Sequence, residues 1–590
     1  MPRLRIPLPV VSGSGMRRST ARLGRALSPR GALALHKVDG AFSFALRAAL
    51  AMALPALPMA LAGRPDQAVY AMLGSFTTTF GRNLPYGRRA RALALVAVAM
   101  TACVGCGSAL AAWAHPRDGG AGAAVVVAAM AVVAGAAKLA CDAAGLSGLG
   151  AVLLLFSFAV AANGSPAFAD VLPQTALAAS GAAVAWVLAV AGRLVHPDRP
   201  QRLAVAAALR ELAELGEATE AGYGGGPGRH RATAAVLQAY RTLGVLPPTA
   251  AARGIRGGTC LRLTDFSWSL LIGSARRPPG APAGLERHLR RQVRLLVSRR
   301  RREPRLLPEL SLPPGTVRAG PDPVAGFEAA PAGRSAAELR AAELVTGRRH
   351  GRRGHDPVLL VPALRMTLGT GLAGWTALLL GLGHGYWAAI SAAAVLHSVN
   401  VRTAARRAVQ RTLGTVAGLL LALGVLAAHP DPLVLVLVIV LLEFLLEYVV
   451  ARNYGLGVVF LTPLALLMAD LAAPSPAGAL VLDRALGSVL GIVIALGCAL
   501  LVVHDHAALR AERALAACTQ ASEHAEHSLD NRLEASFPVV QTYLAAAVVE
   551  LREADDAAAG ELWPAEIDPA ELAAAEQRAY LLLERFVRWR

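Results

Sequence analysis

Lysine is almost missing from this sequence: Lys37 and Lys138 are the only two in 590 residues. Neither follows a glycine, so there is no phosphate-cradling Gly-x-x-x-x-Gly-Lys loop, and nothing in the chain argues for an ATP-driven cycle of its own. Charged residues of all kinds make up 17% of the chain and aromatics 5%. With no recognisable nucleic-acid module and little aromatic interleaving, a nucleic-acid partner is not expected, although the formal net charge is +19. Cysteine is scarce too. Cys103, Cys106, Cys141, Cys260, Cys498 and Cys518 are scattered, mostly in or beside apolar blocks, and suggest no disulfide framework. Cys103 and Cys106 form a C-x-x-C pair without further ligand types around it, so two small residues on an apolar helix is the better reading. No nucleophile, base and acid share a supporting context. No enzyme activity, cofactor or metal is expected.

What is plentiful is apolar sequence in long blocks. Hydrophobic residues make up 55% of the chain, and the blocks are long enough to cross a hydrocarbon core about 30 Å thick, which takes roughly 20 helical residues. The lipid bilayer is therefore the first partner. Twelve spans are predicted near 42–62, 66–81, 90–113, 121–140, 146–163, 171–195, 358–381, 385–400, 410–428, 432–450, 454–472 and 480–503. Spans 66–81 and 385–400 are shorter than a full crossing requires, which leaves them broken, re-entrant or extended into their flanks.

The basic residues that remain mark one side. Residues 1–41 carry eight against Asp39, the turn 82–91 holds Arg82, Arg88, Arg89 and Arg91, and the turn 402–411 holds Arg402, Arg406, Arg407 and Arg411. By the positive-inside rule these are cytosolic, which puts both termini inside the cell and the protein in the plasma or inner membrane. The first 37 residues lack a continuous apolar stretch and read as a basic arm rather than a cleaved signal. Sliding the chain by 318 residues places Arg47 on Arg365 and Arg88-Arg89 on Arg406-Arg407. Such a duplication, with an even number of spans in each copy, predicts two parallel six-helix repeats with the substrate passing between them.

The expected fold is all-α: a polytopic membrane protein of about twelve transmembrane helices with helical cytosolic parts. The divisions are a basic arm at 1–41, a first membrane half at 42–195, a basic helical domain and linker at 196–357, a second membrane half at 358–503 and an acidic helical tail at 504–590. Residues 193–356 hold 28 arginines against 14 acidic residues, whereas residues 504–590 hold 8 against 16. The opposite charges predict electrostatic docking of the two.

Three stretches of the second half, in order, resemble a known family. They are Gly385-Tyr386-Trp387-Ala388-Ala389-Ile390, the basic turn ending at Arg411 with Thr412-Leu413-Gly414-Thr415-Val416-Ala417-Gly418, and Arg452-Asn453-Tyr454-Gly455-Leu456-Gly457 running on to Thr462-Pro463-Leu464. Together with Asp483-Arg484-Ala485-Leu486-Gly487-Ser488, they resemble the fusaric-acid-resistance (FUSC-type) integral membrane transporters. The likeness runs over roughly 358–503 and is weaker over 41–195. It implies a proton-motive-force-linked exporter of aromatic or other organic acids, related in architecture to anion-conducting plant transporters.

Charges inside apolar spans cost roughly 2.5–3.5 kcal/mol on insertion scales and single out candidates. Glu443 and Glu447, four residues apart on one helix face, suit proton coupling, although Glu447 could equally pair with Arg452. Arg47 and Arg365 could attract an organic anion or simply snorkel to the interface. Tyr386 and Trp387 read as interfacial aromatics or as part of the path, and Asn453, Tyr454 and Pro463 as a wall of it. Gly414 with Gly418 and Gly487 with Gly491 read as helix-packing faces. The pair His504 and His506 reads as a solvated interfacial stretch. The leading expectation is a secondary exporter of small organic anions. An anion channel of the same architecture and a non-transporting scaffold are the alternatives, and a homo-oligomer remains open.

Overall fold

The structure, a computed structural model, describes residues 40–82, 84–146, 150–164, 166–220, 226–247, 258–273, 284–298, 305–310, 356–398, 401–474, 476–501, 506–558 and 568–588. The basic arm, the linker 311–355, the run 299–302 and His504 lie outside the described residues. Among the described residues every regular element is helical.

A helix stands on each of the twelve predicted spans. They are α1 (Ala41–Leu61), α2 (Pro65–Ser75, extended by the 3-10 turn Phe76–Thr79), α3 (Tyr86–Ala114), α4 (Gly120–Ala143), α5 (Gly150–Ala162) and α6 (Phe168–Val195). The second set is α11 (Asp356–Leu379), α12 (Tyr386–Leu396), α13 (Val401–Ala427), α14 (Pro432–Val449), α15 (Tyr454–Ala472) and α16 (Ala477–Leu501). Eight of these are long and apolar enough to cross a membrane by themselves, and α5 and α12 are shorter apolar helices. The large side chains Leu95, Leu172, Leu420 and Val493 stand exposed on the outside of the bundle, where only lipid makes such a surface stable.

The two sets pack alike. In the first, α2 lies on α6, α3 on α5 and α6, and α4 on α5; in the second, α12 lies on α16, α13 on α15 and α16, and α14 on α15. The sets also exchange partners reciprocally, since α1 packs on α14 while α11 packs on α4. Glycine lets the backbones meet. A Cβ at Gly418 would run into Val459 O of α15 at 2.8 Å, and one at Gly491 into the carbonyl of Ala388 in α12, so these positions do serve close packing.

The two doubtful spans turn out to be short. Helices α2 and α12 have 11 residues each, about 16 Å of rise, roughly half a hydrocarbon core. A helix can end in mid-membrane only where protein covers it and its terminal carbonyls find donors. Every residue of α12 is buried, and Arg365 supplies the donors, its Nη2 giving hydrogen bonds to Leu396 O at 3.0 Å and Ser398 O at 2.5 Å. In the first half Arg89 does the same work, donating to Gly81 O at 3.2 Å and Arg82 O at 2.7 Å.

Outside the membrane, α7 (Arg199–Glu220), α8 (Gly226–Leu243), α9 (Thr259–Gly273) and α10 (Leu285–Val297) meet the tail helices α17 (His506–Asp530), α18 (Phe537–Ala558) and α19 (Pro569–Arg588). They share one core, in which Leu209, Val236 and Trp268 are buried with Val540, Leu583 and Phe586. The joint has an apolar core, and opposite charges attract across it as well, Arg241 to Glu553 and Arg229 to Glu576. The ion pair Arg290–Glu217 stays within the central segment and Arg578–Glu526 within the tail. A polar link across the joint is neutral, Thr233 Oγ1 to the Tyr580 hydroxyl at 2.9 Å.

Candidate functional site

Helix α12 carries the polar interior of the second half. Its first turn presents Tyr386 and Trp387, ring centroids 4.5 Å apart. The guanidinium of Arg484, from α16, lies 4.0 Å above the Trp387 ring. One turn further along α12, Ser391 Oγ accepts from Arg411 Nη2 at 3.1 Å, and Arg411 Nη1 donates to the Tyr454 hydroxyl at 3.3 Å. Both arginines are 1% exposed, and they are near enough to repel one another. The result is a ladder across the interior: Tyr386 at one end, Trp387 with Arg484, then Ser391 with Arg411, and Tyr454 at the other.

The chemistry of this ladder is one-sided. Arg484 Nε and Nη1, Arg411 Nε and Trp387 Nε1 are buried N–H donors without a hydrogen-bond partner among the described residues, and so are the hydroxyls of Ser488 and Thr415. Ser488 follows Arg484 by four residues and Thr415 follows Arg411 by four, which places each on the same helix face as its arginine. Among the described residues neither arginine has a carboxylate partner. Buried cations are normally paired or carry a functional role.

Tyr386 also lines a cavity of about 440 Å³ that opens away from the arginine-rich connections. Arg117, Asn163 and His384 line it as well, and His384 Nδ1 is 2.8 Å from Asp483 Oδ2. Trp387 stacks on Phe156 of α5 with centroids 6.3 Å apart, so the ladder borders the interface between the two sets of helices.

A second polar site lies between α1 and α14. Glu443 and Glu447 are buried; Glu447 Oε2 accepts from Arg82 Nη2 at 2.8 Å, while Glu443 Oε2 has no partner among the described residues. Arg82 lies 3.7 Å over the Phe44 ring, with Arg47 at 5.0 Å from the same ring. Arg47, Glu443 and Glu447 are therefore brought together, whereas Arg365 is occupied by the end of α12.

The other candidates serve packing and capping. Arg452 lies 4.1 Å over Tyr448, and it is Arg82 that pairs with Glu447. Asn453 caps α15, its Oδ1 accepting from Leu456 N at 3.2 Å. Pro463 stays inside a continuous α15 and faces Gly418. Sequence reasoning missed Arg484 and Arg82, and took Arg411 for a topology marker. Each stands near a span end, where an arginine is ordinarily read as an anchor.

Residues 372–498 match the family described as fusaric acid resistance protein-like. That match covers most of the second set of helices. It contains the whole arginine ladder. The chain is 27% identical over 469 residues to the uncharacterized membrane protein YvaC of Bacillus subtilis (strain 168), covering 76% of this chain and 71% of that one. No solved structure matches the chain.

Proposed function

We propose that the protein is a secondary transporter that exports small organic anions, aromatic carboxylates foremost, using the proton motive force. The observation that carries this reading is the set of unpartnered donors around Arg411 and Arg484. A carboxylate would accept from the two guanidinia and the flanking hydroxyls, while an aromatic body would lie against Trp387, Tyr386 and Tyr454. The wide cavity at Tyr386 supports a release path on that side. The positive-inside rule assigns that side to the cell exterior.

Glu443 supports a carrier over a channel. A carboxyl buried without a counter-ion is retained at considerable cost in a membrane, and its protonation gives the helix pair α1 and α14 two states for a proton gradient to drive. The test is flux of benzoate from proteoliposomes under an imposed pH gradient. Wild type accumulates benzoate against its gradient, R411Q and R484Q lose flux by roughly a hundredfold, and E443Q moves benzoate only down its gradient. Flux in R411Q and R484Q equal to wild type removes the proposal.

A further inference from the structure

The first half holds a second arginine-rich space, away from the ladder. A cavity of about 450 Å³ lies where the membrane bundle meets the cytosolic helices. Arg47, Arg82 and Arg89 line it from the membrane side and Arg199 and Arg210 from α7, and among the described residues no acidic one lines it. Phe44, Leu203 and Ala207 supply apolar wall.

The state of these arginines differs from that of their counterparts. In the second half Arg365 is consumed by the carbonyls of Leu396 and Ser398. Arg47 stands at the matching repeat position, but Arg89 has taken over the helix-end carbonyls, and Arg47 Nε is buried without a hydrogen-bond partner among the described residues. Arg82 is neutralised by Glu447. Arg89 donates to backbone oxygens and lies 5.1 Å from the Tyr86 ring, with no carboxylate partner among the described residues. Several positive charges thus converge on one space of ligand size, with walls contributed by two parts of the chain.

We infer that this cavity binds a phosphate group, which bridges Arg47 of the first membrane half to Arg210 of the cytosolic domain. Multiple guanidinia in a low-dielectric recess are the recognition chemistry of phosphate oxygens. The cavity sits at the end of α1 and α6 where lipid headgroups lie, so the phosphate belongs either to an anionic phospholipid or to a free phosphate in the cytosol. Gln238 lines the same space from α8, and its isosteric change to Glu adds an opposing charge without changing volume.

The test uses the full chain in nanodiscs and follows its thermal unfolding. Phosphatidylcholine discs are titrated with inorganic phosphate, and a second series replaces part of the lipid by phosphatidylglycerol. Wild type gains stability in at least one series; a gain only with phosphatidylglycerol assigns the site to lipid, and a gain with phosphate in pure phosphatidylcholine assigns it to a free anion. R47Q and Q238E each weaken the half-saturation point by roughly tenfold or more, and R484Q leaves it unchanged. No gain in either series, or gains that persist unaltered in both R47Q and Q238E, overturns the inference. Because R484Q abolishes the proposed flux and leaves this site intact, the two proposals fail independently.

Discussion

Arg484 lies 4.0 Å over the ring of Trp387, and Arg411 reaches Ser391 one turn along the same helix at 3.1 Å. Two cations on one face of a buried helix, without a carboxylate partner among the described residues, make a poor structural device. If they were kept for stability, each would have a carboxylate; if they are kept for an anion, each is a burden on the empty protein. R484M should therefore raise the unfolding temperature of the ligand-free protein, by an amount equivalent to about 1–3 kcal/mol, while flux is lost. A fall in that temperature would assign Arg484 to structure instead, and a calorimetric scan in detergent at a fixed protein concentration decides it.

The pair Arg82–Glu447 behaves differently because each partner relies on the other. Glu447 is nearly enclosed, with 6% of its side chain exposed, against 23% for Arg82. R82Q leaves a carboxylate stranded and should destabilise the fold toward the low end of about 3–5 kcal/mol. The double variant R82Q/E447Q should recover most of this loss, since two neutral amides remain hydrogen-bonded. Unfolding midpoints of the four proteins in a double-mutant cycle give the coupling directly, and additive losses would show that the contact contributes little.

Much of this architecture was legible because hydrophobic blocks report the membrane itself. A helix stands on each predicted stretch, eight of them long and apolar enough to cross a membrane, but α3 begins at Tyr86 and α13 at Val401, several residues before the apolar blocks. The arginines at 88–91 and 402–411 are the first turns of these helices rather than loops: hydropathy marks where lipid starts, and a helix runs on through the interface. Outside the two sets of apolar helices, α9 and α18 went unread, although Trp268 and Val540 help form the core, because their buried faces are completed by distant segments. The site was half legible for a related reason. Tyr386, Trp387, Tyr454 and Glu443 stood out by type and position, whereas the lack of a counter-charge around Arg411 and Arg484 is a property of the packed helices and leaves no mark on the chain.

Close packing of α12 on α16 depends on Gly491, whose added Cβ would strike the Ala388 carbonyl. G491V should cost about 1–3 kcal/mol through overpacking and shift α12, so flux should fall with stability. Gly424 and Gly497 have nothing within 4 Å of an added Cβ. G424A and G497A should leave flux intact and leave stability unchanged or raised by up to about 1 kcal/mol. Loss of flux in those two would mean that helix flexibility matters where packing does not.

The joint between the central helices and the tail helices sets a pH response of its own. Burial holds the His230 imidazole below its ordinary range, opposed by Asp556 and reinforced by Arg552 across the joint. The folded state thus prefers neutral His230, and its contribution is fully present above the ordinary histidine value of about 6.5. It is lost as the pH falls through that value toward the depressed folded one, because the unfolded chain takes up the proton first. Burial moves Glu553 and Glu576 the other way, above the usual carboxylate range, so they add stability only as the pH falls further, through their raised values toward about 4.3. Thermal melts should show stability declining from about pH 7.5 to about 6 and then levelling or recovering. H230Q should remove the decline and E576Q should weaken the recovery. A decline of equal size in H230Q would place the sensitive proton elsewhere, whereas its disappearance there and persistence in E576Q ties it to the contact between α8 and α18.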